Sequence, residues 1–171
     1  LNTWVEAGTG DLLILIARTD SFSEISRVLK VGRIRVKITP SPFVGEDFSQ
    51  KLRLRQGLIE FKGQGESVHL LVDSDQDVVH LLSTFKAARR VEARVEIWRD
   101  KPYQLAAPNI NSAWTAQNAP FPLVESADQT IDLKSDKRVA WIHHNAASVV
   151  PAVLELQSLT KLKGTRDPVL G

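Results

Sequence analysis

The sequence predicts an all-β chain, an antiparallel β-sandwich carrying one or two short helices. Three observations lead there. Leu12 to Ile16 is an unbroken run of five branched apolar residues, the pattern of a strand covered on both faces. Ile34, Val36 and Ile38 alternate with Arg33, Arg35 and Lys37, so that segment buries one face and wets the other. Further alternating segments recur downstream, separated by glycine and proline punctuation.

Taken in order, residues 1–10 read as an arm in which Trp4 covers a domain edge. Residues 11–160 read as a single sandwich domain, and 161–171 as a C-terminal tail. After the apolar run, Ser21 stands three residues before Glu24, and Ile25, Val28 and Leu29 fall on one helical face. That spacing predicts a short capped helix ending near Gly32. Pro40, Pro42 and Gly45 break the chain into a loop anchored by Phe43 and Phe48. A second basic strand begins at Lys51, with Leu52 and Leu54 inward and Gly57 marking a bulge. Leu58–Lys62 and Ser67–Val72 form a hairpin about Gly63-Gln64-Gly65.

The acids of Asp73–Asp77 are placed to cap a helix over Val78–Arg90, although Val78–Leu82 also has strand propensity. Helices there and at Ser21 would allow an alternative α+β, ferredoxin-like order. Val91 to Ile97 alternates as another strand. Pro102 to Pro122 is a long connection bearing Tyr103, Trp114 and Phe121, and a loop of that length in a compact domain is commonly functional. Thr130–Lys134, Arg138–His143 and Val149–Leu156 complete the predicted strands.

Composition bounds the classes. Apolar residues at 43% and charged residues at 25% are globular values. The absence of cysteine removes disulfides and thiolate chemistry. No apolar run approaches the roughly 20 residues of a membrane-crossing helix, and no signal-peptide pattern is present at the start. Methionine is also absent and the first residue is Leu1, as in a fragment or a product cut from a longer precursor. The net charge of +2 is unevenly spread. From Arg27 to Arg55 eight cations face only Glu46 and Asp47, which gives one basic polar face.

That face has two readings: a solvated surface whose cations guard a strand edge, or a phosphate-backbone contact made by Arg33, Arg35, Lys37, Arg53 and Arg55. Glu60-Phe61-Lys62 with Asp47 upstream has the spacing of a Mg²⁺-dependent nuclease, and equally that of a cross-strand ion pair. His143 and His144 point to opposite strand faces and do not share a metal. No phosphate loop or nucleophile elbow is present, so no catalytic residue, cofactor or metal site is expected.

Gly10-Asp-Leu-Leu-Ile-Leu-Ile16, followed by Phe22 to Leu29 and Gly32-Arg-Ile-Arg-Val-Lys-Ile38, resembles the coat-protein jelly rolls of picorna-like viruses, comovirus-type ones in particular. There an apolar strand, a short helix, a glycine-initiated basic strand and a Pro/Gly loop succeed one another. The resemblance covers about a quarter of the chain. It implies a two-sheet jelly roll without enzymatic activity that assembles into a shell around RNA.

The sequence therefore points to a structural, self-assembling subunit of a viral or phage particle, located in the virion and in host cytoplasm during assembly. Its partners would be copies of itself or sister coat subunits, with genomic nucleic acid on the basic face and no membrane. Trp4, Trp114 and Phe121 are the expected subunit-interface anchors. The alternative function is a non-enzymatic RNA or single-strand DNA-binding domain, and a Mg²⁺-dependent nuclease is third.

Overall fold

The computed structural model describes residues 1–106, 109–113, 116–135 and 137–162. It is an antiparallel all-β structure. The strands are β1 (Asn2–Val5), β2 (Leu12–Phe22), β3 (Val28–Thr39), β4 (Ser49–Arg53), β5 (Leu58–Gly63), β6 (Glu66–Val72), β7 (Val79–Thr84), β8 (Arg90–Glu96), β9 (Tyr103–Gln104), β10 (Val124–Glu125), β11 (Gln129–Ile131) and β12 (Ala140–Ile142). One α-helix, α1 (Val150–Leu156), stands among the described residues. Two four-stranded sheets run in the orders β1-β2-β3-β8 and β4-β5-β6-β7, and two small hairpins pair β9 with β10 and β11 with β12.

The single domain expected over 11–160 divides into two compact units. One holds Asn2–Ile14 and Ile34–Arg94; the other holds Leu15–Arg33 and the chain from Val95 onward. The long strands β2 and β3 contribute to both.

The first is the sandwich unit. Leu12, Leu13, Ile14, Val36, Ile38, Phe61, Val68 and Leu70 are all buried there. Alternation explains most of this: Ile59 and Phe61 on β5 stand opposite Leu70 and Val68 on β6, and all four share the inner face. The β5–β6 turn has φ of 51° at Gln64 and 68° at Gly65, the paired left-handed conformation of a two-residue hairpin. The Pro/Gly loop is anchored as its aromatics require, with Phe43 4% exposed and its ring 5.7 Å from Phe48 and 6.1 Å from Phe61. A Cβ at Gly63 would lie 2.1 Å from the Pro42 carbonyl oxygen, so only glycine lets that loop approach.

Several local expectations give way here. Residues 2–5, read as part of an arm, form the edge strand β1, where the Thr3 hydroxyl donates to the Leu13 carbonyl at 2.8 Å. Trp4 on that strand is half-buried. The helix expected over Val78–Arg90 is strand β7, paired with β6 from Val72↔Val79 to Ser67↔Thr84; the β-branched propensity of Val78-Val79 prevails once a neighbouring strand edge is available. With it falls the α+β alternative. Leu52 and Leu54 do not point into a core: they are 63% and 80% exposed. Leu52 lies on an edge strand, and Leu54 belongs to a 3-10 turn ended by Gly57 at φ 64°, so Gly57 closes a turn and does not bulge a strand.

The second unit has its own core of Ile25, Leu105, Ala113, Ala116, Leu123 and Val153. The predicted Ser21 helix is absent from it. β2 runs through Phe22 and a tight turn leads straight into β3, closed by the Ser23 N–H donating to the Arg27 carbonyl at 2.8 Å, with Ser26 at φ 60°. Ile25 at the tip is fully buried in the core, and burying a large apolar side chain outweighs two turns of marginal helix. Conversely, Val150–Leu156, expected as a strand, is α1. Pro151 sits in its first turn and Val153 faces the core, which suits a proline that cannot donate to a ladder. Of the expected tail 161–171, the first two residues belong to the 3-10 turn Thr160–Leu162, and 163–171 lies outside the described residues.

Candidate functional site

The basic face is largely neutralised by the chain itself. Arg35 on β3 bonds Glu6 at 2.8 Å and Asp11 at 3.0 Å. Arg33 is paired with Glu96. Arg53 on β4 bonds Glu60 at 2.6 Å, and Lys62 approaches the same carboxylate at 3.0 Å. Of the five predicted contact residues, Lys37 and Arg55 stand exposed without an ion-pair partner among the described residues. The acids that neutralise Arg33 and Arg35 were not visible in the sequence because they lie far along the chain, Glu96 being 63 residues from Arg33 and Glu6 29 from Arg35.

Glu60 is the acid of the nuclease reading, and its carboxylate is engaged by cations of its own sheet. Lys62, Arg53 and His69, the last at 3.5 Å, surround it. The Lys62 and Arg53 hydrogen bonds pull its carboxyl down to about 2 from an ordinary 4.5. Asp47 instead accepts the backbone N–H of Gln64 at the hairpin turn. Among the described residues no group of three or more His, Asp or Glu is placed to hold a metal ion.

The three predicted interface aromatics separate. Trp4 is a half-buried strand residue. Phe121 packs against the core of its own unit, beside Ile110 and Ala119. Trp114 lies outside the described residues.

A buried polar network in the second unit went unread. Arg99, 4% exposed, makes two bonds of 2.9 Å to Asp128 and a third of 2.8 Å to the Lys30 carbonyl. Asp128 also holds Nδ1 of His143 at 2.9 Å. On the far side of the ring, His143 Nε2 lies 3.6 Å from Glu24 Oε2, and neither atom has a closer partner. Glu24 further accepts the Ser126 N–H at 3.1 Å, while Arg27 bonds the buried Glu125 at 2.7 Å. The β2–β3 turn is thus tied by its acid and its cation to segments about a hundred residues away. An adjoining cavity of about 360 Å³ is lined by Phe22, Trp141, His143 and Asn145. Two of its polar groups bond the protein backbone: Trp141 Nε1 donates to the Val31 carbonyl and Asn145 Nδ2 to the Phe22 carbonyl, each at 2.8 Å.

The sandwich unit carries a different feature, an apolar groove of about 240 Å³ where strands β7 and β8, each the last of its sheet, leave the interior open. Ile34, Val36, Val79, Leu81, Val91 and Ala93 line it, and Val91 is 52% exposed.

A family model described as "Domain of unknown function (DUF5703)" matches residues 1–170. The chain belongs to that family. No curated protein and no solved structure matches it.

Chemically, ion pairs tie distant stretches of this family member together: Arg27, Arg35, Arg53 and Arg99 are held by carboxylates, and His143 stands between Asp128 and Glu24. The groove and the exposed strand faces, by contrast, offer apolar surface and unpaired backbone edges, the means by which proteins bind other proteins.

Proposed function

We propose that this domain is a structural, non-enzymatic module that works by associating with copies of itself. The observation that carries this reading is the apolar surface left on regular strands whose other faces are already used. On the β11–β12 hairpin, Gln129 stands opposite Ile142, and Ile131 opposite Ala140. Ile131 and Ile142 share that face and are 47% and 46% exposed, whereas Trp141, on the opposite face, is partly buried. Val91 and Leu82 at the open side of the sandwich unit are more than half exposed as well. Side chains of this size on ordered strands favour a covered state by about 25 cal/mol for each Å² of apolar area removed from water.

A viral or phage particle is the specific assembly that the coat-protein resemblance brings to this reading. The succession of apolar strand β2, basic strand β3 and the Pro/Gly loop follows that resemblance, whereas β4-β5-β6-β7 is a sequential meander and the short helix it calls for is replaced by the Ser23–Arg27 turn. Nucleic acid is a lesser partner in this account, because Arg33, Arg35 and Arg53 are committed to carboxylates. The experiment is size-exclusion chromatography with light scattering, with and without single-stranded RNA. Oligomers that form without RNA support the reading. A monomer that changes mass only on adding RNA favours the nucleic-acid binder instead.

A further inference from the structure

We propose that His143 is a proton-operated latch: as an imidazolium it joins Asp128 to Glu24 and fastens the β2–β3 turn to the base of the β11–β12 hairpin, and on losing its proton it lets the Glu24 carboxylate go. The latch lies within one copy of the chain, so it stands whether or not copies associate.

Hydrogen-bond chemistry fixes one ring nitrogen. Asp128 Oδ1 lies 2.9 Å from His143 Nδ1, and an ionised carboxylate only accepts, so Nδ1 carries a proton. A neutral ring then has a bare lone pair at Nε2. That atom lies 3.6 Å from Glu24 Oε2, and both are buried without a hydrogen-bond partner. Two acceptors facing one another gain nothing. A second proton, on Nε2, makes them donor and acceptor and satisfies both with a small movement.

Charge leads to the same form of the ring. Arg99, Asp128, Glu24 and His143 make a quartet whose side chains are 4%, 1%, 7% and 12% exposed. With a neutral ring, two carboxylates share a single guanidinium, and a net negative charge is left in a nearly enclosed site. The imidazolium balances it. The other charged groups around the quartet are committed or turned outward. Arg27 is held at 2.7 Å by Glu125, which also accepts the Tyr103 hydroxyl. Lys30 is exposed and meets Arg99 through its carbonyl. Asp20, on the rim of the cavity that His143 lines, is exposed and paired with Arg18. His144 is exposed.

Position gives the latch its effect. Asp128 and His143 stand just outside Gln129↔Ile142, the first pair of the hairpin, and Glu24 Oε1 accepts the Ser126 N–H at 3.1 Å. The Val149 N–H bond to the Glu24 carbonyl and the burial of Ile25 do not depend on the proton. Deprotonation therefore loosens the Glu24 carboxylate from segment 126–128 and leaves the turn in place. The tie is present at low pH and lost as pH rises through the titration of the ring, the opposite sense to a carboxylate held by cations.

Proton–nitrogen correlation spectra of the imidazole rings, with His143 assigned through His143→Gln, count its protons directly. At about pH 7.5, above the range in which an exposed histidine titrates, His143 should carry protons on both nitrogens while His144 is neutral. On raising the pH further, the Ser126 amide resonance should move with the same midpoint as the His143 ring. Glu24→Gln removes one charge and offers an amide N–H to the bare Nε2, so in that variant His143 should be the neutral Nδ1–H form at about pH 7.5. A neutral His143 in the wild type at that pH would overturn the proposal. So would a His143 titration that the Ser126 amide does not follow, or one that Glu24→Gln leaves unchanged. Should Glu24→Gln not fold by circular dichroism, the two wild-type readings decide.

Discussion

The two units of this domain solve the same problem by different means. In the sandwich unit, sheets bury alternate residues, and most of the core, from Leu12 to Leu70, lies on strands whose period is visible in one dimension. In the second unit the apolar core is small and includes two alanines. There the long connection, the β2–β3 turn and the short hairpins are tied by ion pairs and hydrogen bonds spanning 98 and 102 residues, as in Arg27 with Glu125 and Ser126 with Glu24. One unit is thus held mainly by packing, and the other by a few polar contacts whose partners must be right individually.

That contrast can be broken at each end. The largest effects are expected from removing one member of the most buried polar pair or one central side chain. Asp128→Ala strands Arg99, whose side chain is 4% exposed, and should cost about 3–5 kcal/mol, since an uncompensated buried charge remains. Phe61→Ala, at a fully buried position of the sandwich unit, should cost a similar ~3–5 kcal/mol through the cavity it leaves. Urea unfolding monitored by tryptophan fluorescence and by circular dichroism sharpens the comparison. The account predicts that Asp128→Ala loosens the second unit first, separating the two transitions, whereas Phe61→Ala lowers the transition of the sandwich unit.

A smaller effect is expected at acid pH. Glu60 has its carboxyl lowered to about 2 from an ordinary 4.5, chiefly by Lys62 and then by Arg53. A group depressed on folding stabilises the folded state above its ordinary value, and that contribution is lost as pH falls from 4.5 toward 2. Glu60→Gln should therefore flatten the acid limb of stability over that window and leave its shape near neutrality unchanged. The smallest effect is expected at Leu54, 80% exposed on a turn: Leu54→Ser should move stability by no more than about 0.5 kcal/mol. A larger loss would mean that this turn is covered.

The same contrast decides what could be read in the sequence. Ile34 to Ile38, the run from Leu12, the Gly63-Gln64-Gly65 turn and Val91 to Ile97 were legible because alternation and turn chemistry are local. The Ser21–Leu29 segment misled because a capping-box spacing is also local, whereas the partners that claim Glu24 and Ile25 lie at Ser126, His143 and Val153. The Arg33 and Arg35 cations looked available for phosphate for the same reason: Glu96, Glu6 and Asp11 reach them only through the sheet. Pro151 is the one local signal in the second unit that should have corrected a strand to a helix. The groove was invisible because it depends on which strands end the two sheets, and that is decided by pairing.

Sedimentation equilibrium of the wild-type domain, over a hundredfold range of concentration at low and high salt, tests association through apolar surface most directly. The account predicts an average mass that rises with protein concentration and persists when added salt screens surface charge. A single monomeric mass at every concentration, or association that disappears in salt, would contradict it.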